Sequence, residues 1–178
     1  MKIILIAAFF LSAANLTLAQ YKPVDEASSV KFKLKNFGFN TGGFFKGLKG
    51  TIGFDPNNLA TASFDVTLKA SSVNTDNESR DEHLKAETYF DVNNYPLIHF
   101  VSTNITGGGK GGSYLVTANL TIKRVTKQIS FPFTATPSAD GYVFNGDFKI
   151  NRREFAVGGS STLSDNVEVS LSVVARKN

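Results

Sequence analysis

The chain has no cysteine and no tryptophan among its 178 residues, only two histidines, and no apolar run long enough to cross a bilayer as a helix. Without cysteine there are no disulfides, no thiol nucleophile and no thiolate metal site, so stability must come from a hydrophobic core. The two histidines do not suggest a metal either. A zinc site needs three or four converging ligands. His83 stands beside Asp81 and Glu82, and adjacent helical positions point in different directions. His99 falls on the opposite strand face from Ile98 and Phe100, which makes it an exposed strand residue.

Charge is scarce in any useful pattern. Lys and Arg number 19 against 15 Asp and Glu, a formal net charge of +4. The basic residues are scattered, as in Lys31, Lys33 and Lys35 on one polar strand face. Nucleic-acid binding needs a clustered basic face with stacking aromatics, so it is not expected here. "KRVTK" at 123–127 and Arg152-Arg153 sit at strand ends, where solvated cations are common. Catalytic signatures are lacking as well. There is no G-x-S-x-G elbow. "GGGKGG" at 107–112 lacks phosphate-loop spacing and lies between two strands, which predicts a hairpin turn. "GGSS" at 158–161 reads as a loop, and nothing singles out a glycosidase-type carboxylate pair. No catalytic residue, metal or cofactor is expected.

The start of the chain reads as an export signal. Lys2 supplies the positive end, Ile3 to Leu11 the apolar stretch, and Thr17-Leu18-Ala19 the small residues of a cleavage site. Residues 1–19 are therefore expected to be removed, leaving a single domain over 20–178. No cysteine follows the cleavage site to carry a lipid anchor. A periplasmic or secreted soluble protein is the expectation.

What the chain does have is alternation. Eight stretches place apolar residues on every second position, the mark of strands with one buried face. They carry Val30, Phe32 and Leu34; Leu48, Ile52 and Phe54; Ala62, Phe64, Val66 and Leu68; Ile98 and Phe100; Tyr114, Val116, Ala118, Leu120 and Ile122; Ile129, Phe131 and Phe133; Tyr142, Phe144, Phe148 and Ile150; and Val167, Val169, Leu171 and Val173. Pro132 argues for a bulge or an edge in the sixth. Short turns between most strands imply antiparallel neighbours. Eight such strands close into a barrel or pack as a two-sheet sandwich.

One segment breaks the pattern. "SRDEHLKAETYFDVNNYPLIHF" at 79–100 opens with a charge-dense helical stretch. Ser79 and Glu82 stand as S-x-x-E, the spacing of a capping box, and Glu78, Asp81 and Glu82 sit where the helix dipole favours acids. About two turns should follow. The acids thus have a structural cause.

The same segment, with "LTIKRVTKQISFPF", "INRREFAVGG" and "LSDNVEVSLSVVA", resembles the YceI-like family of exported polyisoprenoid-binding proteins in order and spacing. The resemblance runs from about Tyr21 to Ala175. Two positions depart from the family pattern: Arg124 and Ala156 stand where glycine is usual. The resemblance implies an all-β, eight-stranded antiparallel lipocalin-like barrel with a short helix near one end. It implies a cavity for an isoprenoid, quinone tail or other long-chain amphiphile, and binding, storage or transport rather than catalysis.

An eight-stranded barrel either fills with side chains or holds one ligand. The inward positions proposed as cavity lining are Phe32, Leu34, Leu48, Ile52, Phe54, Phe64, Val66, Leu68, Ile98, Phe100, Val116, Leu120, Ile129, Phe131, Phe148, Val169 and Leu171. The expected partner is a long-chain lipid; transient membrane contact and a homodimer are compatible with the sequence. Two other readings stand beside this one. A solid barrel serving as a stress-related protein-interaction module would have no large apolar cavity. An enzyme on a lipid-like substrate would need polar groups converging inside the barrel.

Overall fold

In the computed structural model, which describes residues 20–107, 112–159 and 162–177, ten strands and one α-helix follow the chain. They are β1 (Gln20–Pro23), β2 (Ser29–Asn36), β3 (Phe39–Phe45), β4 (Lys49–Gly53), β5 (Ser63–Lys69), α1 (Glu78–Lys85), β6 (Leu97–Gly107), β7 (Ser113–Ile122), β8 (Val125–Ser138), β9 (Gly141–Asn151) and β10 (Asn166–Lys177). All pair antiparallel in the order β1-β4-β5-β6-β7-β8-β9-β10-β2-β3, and β1 also pairs with β10. That second pairing closes the sheet. The molecule is an eight-staved barrel and not a sandwich, with β1 and β2 as halves of one stave and β3 and β4 as halves of the next.

These two staves break at the same level and are stitched together there. A short 3-10 turn at Asp25–Ala27 interrupts the first. The Asp25 carboxylate accepts from the backbone N–H of Gly47 and of Leu48, each at 2.9 Å, in the break of the second. Gly47 has φ +76°, and a Cβ there would lie 2.8 Å from the Lys69 Cβ. Only glycine meets both conditions without strain.

Each of the eight alternating stretches lies on a strand. Alternation does not announce β1 and β3: β1 has four residues, and the β3 sequence FNTGGFF has no clean period. Pro132 does mark an edge. It pairs with Leu115 on β7, while the β8–β9 ladder begins only at Phe133↔Gly146. Below that point the rings of Phe131 and Phe148 stack at 4.4 Å across the two strands.

The interior divides into two clusters. At the end holding the β8–β9 turn and the β1 start, Phe54 makes edge contacts with Tyr114, Tyr142 and Phe144 at 5.1–5.2 Å. Phe64 and Phe133 complete that plug. At the opposite end, Phe45, Val73, Ile98, Leu120, Ile122, Phe155 and Val157 pack with Leu84, Tyr89, Phe90 and Val92 from the helical segment.

The helix differs from expectation in its cap. Asn77, not Ser79, is the N-cap: its side-chain oxygen accepts from the Arg80 N–H at 2.9 Å. The helix therefore starts one residue before Ser79, which lies in the first turn with no capping role. Asp81 instead accepts from the Thr75 N–H at 2.9 Å and from its hydroxyl, fixing the approach to the helix. Residues 1–19, read above as an export signal, and residues 108–111 and 160–161 of the two glycine-rich stretches lie outside the described residues.

Candidate binding cavity

Between the two clusters the barrel is not filled. A cavity of about 440 Å³ runs along its interior toward the helical end. Alternation explains most of its walls: inward positions of β2, β5, β6, β7, β9 and β10 are largely apolar, with Asn36 of β2 the polar exception near the rim. Of the expected lining positions, all but Phe54 and Ile129 border the cavity: Phe32, Leu34, Leu48, Ile52, Phe64, Val66, Leu68, Ile98, Phe100, Val116, Leu120, Phe131, Phe148, Val169 and Leu171. Phe54 is 1% exposed at the heart of the aromatic plug, and Ile129 packs against both clusters. Phe54 is therefore core of the plug, and Ile129 bridges the two clusters instead of facing the cavity.

Other lining residues come from places that alternation does not reach. Arg80, His83, Leu84, Tyr89 and Phe90 enter from the helical segment, and Arg152, Val157, Thr162 and Leu163 from the β9–β10 connection. Their signal in the sequence is weak, since they sit on a short polar helix and in a loop. Exposed Arg80, His83 and Thr162 border the cavity and solvent at once, so the cavity reaches the surface at this end. The result is an apolar tube, stoppered by aromatics at one end and rimmed by polar groups at the other.

The rim is held by a buried cation. Arg152 is 5% exposed, contrary to the expectation of a solvated strand-end residue. Its Nε donates to the Ser164 carbonyl at 3.0 Å and its Nη1 to the Val157 carbonyl at 2.9 Å. Its Nη2 donates to the Leu163 carbonyl at 3.1 Å and to the Asp165 carboxylate at 3.0 Å. A planar guanidinium with five donors suits a loop that presents several carbonyls. Asp165, about half exposed, supplies the countercharge. Nearby, Lys123 Nζ donates to the carbonyls of Glu87 at 2.8 Å and Ala156 at 3.2 Å, tying the β7–β8 turn to both rim segments.

Several of the polar groups that border the interior are tied into the rim structure. Thr75, 7% exposed, bonds to Asp81 and Arg80. His83 packs its ring against Tyr89 at 5.0 Å. Among the described residues, no three His, Asp or Glu side chains gather as a metal site, and no buried side-chain polar atom lacks a partner. His99 points outward and meets Asp65 at 2.7 Å on the barrel exterior. On that exterior Glu168 is held below the usual carboxylate range, first by its hydrogen bond from Lys149 and then by that charge and Lys33. The chemistry of the cavity is the exclusion of water from an apolar volume.

Comparison with known proteins agrees with this geometry. A UPF0312 protein of Yersinia enterocolitica is 28% identical over 180 residues, covering 94% of this chain and 92% of the relative. The crystal structure of Burkholderia cenocepacia BcnA superposes with a TM-score of 0.80 at 28% identity, covering 85% of this chain and 98% of that one. A polyisoprenoid binding domain from Saccharophagus degradans shares the fold, with a TM-score of 0.72 at 17% identity over 91% of this chain and all of its own. The model of the YceI-like domain matches residues 21–175. Spanning the whole barrel from β1 to β10, that match establishes that this chain belongs to the YceI-like family.

Proposed function

We propose that this protein is a carrier or reservoir for a long-chain isoprenoid, quinone tail or similar amphiphile, held in the barrel cavity without chemical change. The observation that carries the reading is the tube itself: about 440 Å³ of apolar space, stoppered at one end and polar-rimmed at the other. A water-sized group takes about 30 Å³ in the liquid, so the tube accommodates roughly fifteen methylene-sized groups. At about 0.8 kcal/mol per methylene, their burial contributes roughly 12 kcal/mol gross. Association costs about 4–15 kcal/mol, so chain burial supplies a large part of useful affinity without specific polar contacts. A polar head would sit at the Arg80, His83 and Thr162 rim. The solid-barrel alternative lacks such a space.

The name of the Saccharophagus neighbour supports the ligand class. The setting that fits this reading is the periplasm or the outside of the cell, with residues 1–19 as a cleaved leader and 20–178 as the mature domain. Among the described residues no helix is long and apolar enough to cross a membrane. Transient contact with a bilayer would load and unload the cavity; a homodimer is compatible with the reading but not required by it. Mass spectrometry of an organic extract from detergent-free mature protein tests the proposal. A stoichiometric prenyl lipid or quinone is the expected result. A clean extract, repeated after exposure to native membrane lipids, would overturn it.

A further inference from the structure

The hairpin joining β2 and β3 is built against its own interest. Asn36 pairs with Phe39, leaving Phe37-Gly38 as a two-residue loop. Both loop residues have positive φ, +49° and +82°. That is the geometry of a type I′ turn, which favours Asn-Gly because its first position is left-handed. Here a bulky aromatic occupies it, a conformation costly for such a side chain. The ring gains no burial in return: Phe37 is 73% exposed and Phe39 is 77% exposed. Single exposed apolar residues are ordinary, but two nearly bare phenylalanines flanking one glycine on a strained tip are not.

The place of the tip is equally specific. Asn36 and Thr41, the residues just inside it, line the cavity. Across the rim, the Phe37 N–H donates to the Thr162 carbonyl at 3.3 Å, and Thr162 Oγ1 donates to Asn36 at 2.8 Å. The two rings therefore stand directly beyond the mouth. Behind them Lys31, Lys33 and Lys35 project from the outer face of β2, all exposed; Lys33 shares its charge with Glu168 of β10 at 3.4 Å, while Lys31 and Lys35 complete the basic face.

We infer that Phe37 and Phe39 are a membrane-docking tip: they enter the apolar margin of a lipid bilayer and bring the mouth against its surface. The inference rests on the carrier reading above and deepens it, by naming where the ligand is exchanged. Aromatic rings inserted at the headgroup boundary with lysines behind them combine apolar burial with attraction to anionic lipids. An amphiphile then passes between bilayer and tube without crossing water. Strain and exposure, unfavourable in solution, are offset once the rings are buried in lipid.

The test uses the mature chain and vesicles of phosphatidylethanolamine and phosphatidylglycerol, with partitioning read by flotation. Burial of each ring contributes about tenfold in partitioning, so Phe37→Ser with Phe39→Ser should lower it about 100-fold. Leu115→Ser, which alters another exposed apolar residue on the outer face of β7, should leave it unchanged. Phe37→Asn should raise thermal stability while lowering partitioning, so loss of binding cannot be ascribed to unfolding. Equal partitioning of wild type and double variant would overturn the inference. So would a wild-type dimer that the double variant dissociates in sedimentation while vesicle binding persists. Farnesol binding in solution separates the two proposals. Its retention by a double variant that no longer floats supports docking. Its absence from wild type, with flotation still dependent on the two rings, would sink the carrier reading alone.

Discussion

Val66 sits midway along β5, opposite Phe100 of β6, and faces the cavity. Replacing it with tryptophan puts seven more heavy atoms into that space, on the order of 100 Å³, the liquid share of three to four waters. Nearly a quarter of the 440 Å³ is then occupied. Three to four methylene-sized positions are lost to a ligand, or about 3 kcal/mol of burial. That corresponds to roughly a 100-fold weaker Kd. Because the indole enters a void, the fold should lose much less than the roughly 1–3 kcal/mol typical of overpacking a filled core. Isothermal titration with farnesol or geranylgeraniol measures the first effect, and a thermal melt the second. Leu171→Trp, on the cavity wall from β10, should behave alike. A folded Val66→Trp protein with unchanged affinity would refute the assignment of the tube as the binding site.

Three further outcomes are expected. Asn77→Ala should cost about 1 kcal/mol, as loss of an N-cap does, whereas Ser79→Ala should be close to neutral; chemical denaturation of the two variants distinguishes the caps. Ala156 has φ +54°, a left-handed conformation that costs an L-residue about 1–2 kcal/mol, so Ala156→Gly should raise Tm by a few degrees in calorimetry. Tyr142 is pushed above its ordinary value near 10, first by burial and then by Tyr21, Asp55 and Tyr114. Below about pH 10 the phenol is neutral in both the folded and the unfolded chain; above it the unfolded chain ionises first, which favours unfolding. Its linkage contribution is therefore present below about pH 10 and is lost as pH rises through the raised folded value. Ultraviolet titration should show a late-titrating tyrosine that Tyr142→Phe removes.

Much of the barrel was legible because a buried sheet face imposes period two on the chain. The run Ser63-Phe64-Asp65-Val66-Thr67-Leu68-Lys69 admits no other reading, and it forms β5 as expected. The same logic placed most of the cavity wall, since inward residues of a closed barrel have nowhere else to point. It failed for β3, where Gly42-Gly43 erase the pattern, and for the cap, where Asn77 and Ser79 are both good candidates by type. Arg152 escaped for a related reason. A strand-end arginine looks alike in sequence whether solvated or enclosed by a loop, and the acceptors that enclose it come from up to thirteen residues further on.

Local chemistry thus settled which residues form strands and which of their faces is apolar, because that depends on neighbours two positions apart. Whether the eight staves meet around a solid core or an open tube depends on how much volume the inward side chains fill together. That is a sum over strands distant in sequence. Phe54, Tyr114, Tyr142 and Phe144 converge to stopper one end, while Val66, Phe100, Val169 and Leu171 leave the middle open. The mouth, too, exists only in three dimensions, where the β2–β3 tip, the helical segment and the Arg152 loop are brought side by side. Closure of the barrel through β1 and β10 is what unites them, and no local pattern encodes that pairing.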